Sequence, residues 1–234
     1  MSHLEAPSPT PAANAPEEPR QRLLMASLQL FAQQGYSKTS TRELAEAAHV
    51  NVAAISYYFG DKAGLYRAVT LELLGCAPEE DLARYSDPGL SLPDALHGFY
   101  AGFLEPLMRG DMVRLCMKLH FREMLEPTGL WPYDATHGIK PLHDGLVAVL
   151  CRHLGLPLAG SAADADLQRL AISLAGLGVH LHVGYDMSEA LAPGLMAGPE
   201  QIEQWSDRLV MFGLAMVQAE AARRGLTLIA NPAA

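Results

Sequence analysis

Between Ser40 and Lys62 the chain gathers side chains suited to binding anions and hydrogen-bonding edges. They are the hydroxyls of Ser40, Thr41, Ser56, Tyr57 and Tyr58, the guanidinium of Arg42 and the ammonium of Lys62. A guanidinium forks onto O6 and N7 of guanine, and hydroxyls reach phosphate oxygens or base edges. Small side chains such as Val52, Ala53 and Ala54 permit close approach and touch thymine methyls. This is the chemistry of reading a duplex groove rather than of making or breaking bonds. The motifs of an enzyme are absent from the sequence: there is no P-loop, no glycine-rich dinucleotide turn, no G-x-S-x-G elbow and no H-E-x-x-H pair.

Such residues need elements to aim them. Helical periodicity runs through the chain while strand-length alternation with hairpin dipeptides is missing, which predicts an all-α fold. Leu24, Leu28 and Phe31 recur on one face of a helix over 20–34, which Gly35 is expected to close as a left-handed cap. Ser40-Thr41-Arg42-Glu43 is an S-x-x-E capping box that opens a short second helix, ending near Ala48. Asn51 caps a third short helix over 52–58, and Gly60-Asp61 divides it from a fourth over 62–74. Small Ala45 faces the turn and Leu44, Val50 and Ile55 pin the second helix to the third, as a helix-turn-helix requires. By itself such a pair also serves as a plain packing corner. Ile55 and Phe59 read as core, and Tyr58 fits either packing or contact.

The run Thr39-Ser40-Thr41-Arg42-Glu43-Leu44-Ala45, with Val50, Ile55-Ser56-Tyr57-Tyr58-Phe59-Gly60-Asp61-Lys62 and Leu65-Tyr66, closely resembles the DNA-binding heads of the TetR family. The resemblance covers residues 20–74. It implies that the third helix enters the major groove, that the start of the second contacts backbone and bases, and that Lys62 grips a phosphate. The last role suits a lysine beside the free N–H groups of a helix N-terminus, where an anion is favoured. Arg42 is the candidate for base specificity. One departure stands out: His49 occupies a turn position where the family usually has glycine and a positive φ is often needed, at modest cost to a histidine.

Farther on, Pro78, Pro88 and Pro93 mark a linker, followed by helices expected over 92–108, 111–126, 138–154, 162–184 and 200–224. Arg122-Glu123-Met124-Leu125-Glu126-Pro127-Thr128 and Ile139-Lys140-Pro141-Leu142 resemble the C-terminal domain of the CerR-like subgroup of TetR regulators. That implies a helical body for ligand binding and dimerisation, in which the last two long helices form a four-helix bundle across the dimer axis. Leu170, Leu174, Leu177 and Leu181, with Leu209, Phe212, Met216 and Ala219, form apolar stripes that serve either this interface or the chain's own core. A dimer is also what a short recognition helix needs, since two copies read two half-sites of a palindromic DNA operator.

For an effector, Phe99, Phe103, Met112, Cys116, His120, Phe121, Met124 and Trp131 form a candidate small-molecule pocket; Met108 lies nearby, and each also fits ordinary core. Cys116 and His120, four apart, admit a metal- or redox-responsive regulator on the same scaffold, and a helical enzyme is the remaining rival. His180 and His182 differ by roughly 200° around a helix and point apart, so no metal or other cofactor is assigned. The expected mechanism is repression, released when an effector sets the two heads at the wrong separation for successive major grooves.

Bulk properties agree with a head and a body. The net charge of −9 conceals +2 over residues 20–75 and −8 over 76–234, so attraction to phosphate is confined to the head. Residues 1–19 hold five prolines and three glutamates, with neither a basic start nor an apolar stretch, and read as a disordered acidic tail. Three unpaired cysteines, Cys76, Cys116 and Cys151, and no apolar stretch of the roughly 20 residues a bilayer needs, point to the cytoplasm. The expected division is a tail over 1–19, a DNA-binding domain over 20–75 and a ligand-binding and dimerisation domain over 76–228.

Overall fold

The computed structural model describes residues 18–73, 78–131 and 135–229. The expected tail lies outside them except for Glu18 and Pro19, as do Cys76 and the expected boundary between residues 75 and 76. Among the described residues all regular structure is helical: α1 (Pro19–Gln34), α2 (Thr41–Ala47), α3 (Ala53–Phe59), α4 (Lys62–Leu73), α5 (Pro78–Ser86), α6 (Leu92–Met108), α7 (Asp111–Leu125), α8 (Ala135–Leu154), α9 (Ala165–Val183), α10 (Tyr185–Leu191) and α11 (Pro199–Arg224), with a 3₁₀ turn at Ser161–Ala163. No helix among them is long and apolar enough to cross a membrane.

Two hydrophobic cores organise these helices. In the first, Leu23, Leu24, Leu28 and Phe31 of α1 meet Leu44 of α2, Ile55 of α3 and Leu65, Tyr66 and Val69 of α4. Helices of seven residues, such as α2 and α3, do not persist alone in water, so burial against α1 and α4 is what holds them. Cys116 and Leu119 of α7 complete this core. The second core joins Tyr85 of α5, Leu96 and Tyr100 of α6, Leu150 of α8, Leu174 of α9 and Val217 of α11.

Several expectations need correcting. The stretch read as a linker carries α5, whose proline stands at the first position, where its missing N–H costs nothing. The acidic first turn Glu79-Glu80-Asp81 and Arg84 in the last turn suit the helix dipole. A side chain at Gly98 would run into the Arg84 carbonyl and one at Gly145 into Leu82, so glycines of α6 and α8 make the space in which α5 sits. Gly35 has positive φ (85°) but extended ψ (163°), so it closes α1 without forming a left-handed αL cap. Leu170, Leu174, Leu181 and Leu209 are consumed by the chain's own core, with Leu177 and Met216 packed at its edge. Phe212 and Ala219 of the expected stripes stay exposed, and Ile172, Val183 and Met211 join them on the apolar surface left over.

Candidate nucleic-acid interface

The local sequence builds α2 and α3 closely. At the start of α2 both halves of the capping box form: the Glu43 N–H donates to Ser40 Oγ (3.2 Å) and the Ser40 N–H to Glu43 Oε2 (2.7 Å). These bonds with Ser40 hold the Glu43 carboxyl below its ordinary value. After α2 the chain reverses at His49, whose φ of 53° is the left-handed conformation expected there. The Val50 N–H reaches back to the Ala45 carbonyl (3.0 Å). Arg22 of α1 braces this turn by donating to the carbonyls of Ala48 (3.1 Å) and His49 (3.5 Å), supplying a cation and donors where a helix C-terminus lacks them. Asn51 Oδ1 accepts the Ala53 N–H (2.9 Å), and Asp61 Oδ1 accepts that of Gly64 (2.6 Å) at the head of α4.

This framework turns one face of α3 outward. Ile55 is buried and Ala54 half-buried, while Val52, Ala53, Ser56, Tyr57 and Tyr58 are exposed, Tyr57 to 82%. Tyr57 and Tyr58 meet edge to face, with centroids 4.8 Å apart. Phe59, read as core, is half-buried and faces the Arg20 guanidinium at 5.2 Å. Ser40, Thr41 and Arg42 are exposed at the start of α2, and the Arg42 guanidinium, 88% accessible, makes only a 3.5 Å ion pair with Glu46 one turn on. Lys62 opens α4 with its Nζ 4.1 Å from the centre of the Tyr36 ring. Partial burial draws its ammonium below the usual lysine value, opposed by the Glu43 carboxylate.

An open groove of about 480 Å³ runs between α3 and the start of α1, lined by Pro19, Arg22, His49, Val50, Asn51, Ala53, Ala54, Tyr57 and Tyr58. Arg22 and Pro19 of this wall escaped the sequence reading because they lie some thirty residues from α3. His49 drew notice only as an irregular turn residue.

The fold brings some candidate pocket residues of the body into contact and leaves others out. Phe99 and Phe103 meet edge to face at 5.4 Å in the second core. His120 lies against Phe121 (5.3 Å) and Trp131 (5.6 Å), and His182 stacks on Phe121 (4.9 Å) while bonding the Phe103 carbonyl at 2.8 Å. Burial pulls both imidazoles below their ordinary value. Cys116 faces the first core, its thiol donating to the Leu73 carbonyl, and Met108, Met112 and Met124 are exposed. His180 is exposed, so the two α9 histidines do point apart. Among the described residues no three His, Cys, Asp or Glu side chains gather as a metal site would need.

Comparison with known proteins fits this arrangement. Residues 23–69 match the family model of bacterial regulatory proteins of the tetR family. Residues 92–217, just over half of the chain, match that of the C-terminal domain of the HTH-type transcriptional dual regulator CecR. The chain belongs to the TetR family, with a C-terminal domain of the CecR type. CecR is thus the subgroup given above as CerR-like, and the family is one of transcriptional regulators, not of enzymes. Among curated relatives, this TetR-family chain is 29% identical to CecR of Shigella flexneri over 156 residues, 59% of this chain and 66% of that one. It is 45% identical to the probable regulator YttP of Bacillus subtilis over 53 residues, 23% of this chain and 26% of that one. The matches thus span just under two thirds and about a quarter of those relatives. Among solved structures, a TetR-like regulator from Rhodococcus sp. RHA1 aligns over 90% of this chain and 99% of its own, with a TM-score of 0.51 and 22% identity. AibR in complex with isovaleryl coenzyme A and operator DNA aligns over 83% and 97%, with a TM-score of 0.56 and 19% identity. At such identities these two establish the fold alone.

Proposed function

We propose that this chain is a cytoplasmic homodimeric repressor that reads a palindromic operator and releases it when a small molecule binds the C-terminal body. The observation that carries the reading is the outward face of α3, with small and hydroxyl-bearing side chains flanked by the Arg42 guanidinium and the Lys62 ammonium. In this reading residues 20–75 form the DNA-binding domain and residues 76–228 the sensing and dimerising one. Arg42 and the exposed side chains of α3 other than Tyr57 read bases, while Ser40, Thr41, Tyr57 and Lys62 hold phosphates. The unburied apolar side chains of α9 and α11, among them Ile172, Met211 and Phe212, support dimerisation through the last two long helices. In this reading the effector lies against Phe99, Phe103, His120, Phe121 and Trp131, a reading supported by their ring contacts, linked through His182. Met112 and Met124 are exposed, and Cys116 faces the first core.

Selection of bound sequences from a random DNA pool tests the reading: an inverted repeat is expected, bound by two copies. Failure to enrich any sequence at low salt would sink it. On the selected operator, Arg42→Ala is expected to relax base preference at one position per half-site. Lys62→Ala is expected to weaken binding to every sequence and to flatten its dependence on salt. Acyl-coenzyme A thioesters are the first effector probe, because AibR, solved with one of them and with operator DNA, shares the fold. A coupling typical of allostery lowers operator affinity roughly 5- to 150-fold, and unchanged affinity across the effectors tried would count against release.

A further inference from the structure

Lys62 is placed where a cation is not at ease. It is the first residue of α4, beside the partial positive charge of the free N–H groups, which favours anions and repels ammonium. No ion pair holds it among the described residues; Glu43 acts on it only at longer range. Its Nζ rests instead over the face of Tyr36, 4.1 Å from the centroid. The ring is in turn fixed by two aromatic neighbours, Phe31 at 5.9 Å and Tyr66 at 5.1 Å, the latter edge-on at 69°. Phe31 and Tyr66 are buried and meet each other edge-on at 5.0 Å, and the Tyr66 hydroxyl donates to Glu123 Oε2 of α7 at 2.6 Å. These two ring contacts seat Tyr36, and its face gives the lysine a defined place to rest.

The type of partner matters. A carboxylate in contact with Lys62 would hold it equally well, but it would neutralise the ammonium and repel an arriving phosphate. An aromatic face attracts the cation through its quadrupole and leaves its full charge on offer. A lysine already oriented also loses less rotamer freedom when it binds. We infer that Tyr36 is a positioning residue for DNA binding, its ring holding the Lys62 ammonium at the mouth of α4 for a backbone phosphate. This rests on the phosphate role of Lys62 proposed above.

The test uses the full-length protein and its selected operator over a range of salt concentrations, with Tyr36→Phe, Tyr36→Leu, Lys62→Ala and Tyr36→Leu/Lys62→Ala. Tyr36→Phe keeps the ring and should bind like the unmodified protein. Tyr36→Leu should lose roughly five- to twentyfold in affinity, since a dimer forfeits two contacts of this kind, and should show a shallower salt dependence. Adding Tyr36→Leu to Lys62→Ala should change nothing further. That last comparison separates positioning from simple damage to the head, which would weaken binding in both backgrounds alike. Equal losses in the two backgrounds, or a Tyr36→Leu variant that binds like the unmodified protein, would overturn the inference. If Lys62→Ala leaves affinity and salt dependence unchanged, the phosphate role itself fails, and the inference with it.

Discussion

His49 has a positive φ, 53°, and no other non-glycine residue among those described does. A β-carbon in that region crowds the following carbonyl, at a cost of roughly 1–2 kcal/mol. His49→Gly should therefore raise unfolding stability by about 1 kcal/mol, read as a shift of the urea midpoint at constant slope. A lowered midpoint would mean that the imidazole makes contacts outweighing its strained backbone. The turn was legible from the sequence because its geometry is set by a few adjacent residues. The side chains that brace or use it were not: Arg22 reaches the Ala48 and His49 carbonyls from α1, and Tyr36 reaches Lys62 from the loop after α1. In each case the partners lie more than twenty residues apart, beyond any local pattern.

Among the elements, α7 belongs to the first core through Cys116 and Leu119, stacks Phe121 on His182 of α9, and grips α1 and α4 with consecutive residues. The Arg122 guanidinium donates to the carbonyls of Gln33 and Gln34 at 3.3 Å, capping the end of α1, while Glu123 accepts from Tyr66 of α4. The contact with α1 depends on Gly35, where an added Cβ would stand 2.7 Å from Arg122 Nε, on a backbone with φ 85° and ψ 163° that is essentially reserved for glycine. Gly35→Ala should cost about 1–3 kcal/mol of stability from the backbone alone, measured by denaturant unfolding of the full chain. An unchanged midpoint would show that alanine adopts this backbone conformation without strain. Helices α6, α7 and α11 fall within a residue or so of their expected limits because Ser91, Gly110 and Gly198 stand at their starts. The short α5 and α10 were missed. Nine and seven residues give too few turns for a periodic signal, and tertiary packing decides whether they form.

At the scale of the whole molecule, one charge cluster ties the start of α9 to the end of α11. Arg224 bonds Asp164 (2.6 and 2.8 Å) and Glu220 (2.6 Å), and Arg223 bonds Glu220 and Asp166. The hydrogen bond from Arg223, followed by that from Arg224, pulls the Glu220 carboxyl down to about 2, and Arg224 pulls Asp164 well below its usual range. A carboxyl whose folded value is depressed stabilises fully above its unfolded value near 4.3, and that contribution fades as pH falls through the folded value. The chain should therefore lose stability between about pH 5 and pH 2, and Glu220→Gln should lose less over the same interval. Parallel pH profiles of the urea midpoint for the two proteins would contradict this. By itself the sequence determined the all-helical class, the ends of most helices, the strained turn and the TetR-type head, because caps, periods and turn residues act within a few positions of one another. Only the tertiary structure decided which apolar stripes are consumed internally and which candidate pocket residues part company. It also decided that α7 joins the core of α1 to α4 and that Tyr36 lies beneath Lys62. Those outcomes depend on which distant surfaces exclude water together, and that is a property of the packed chain.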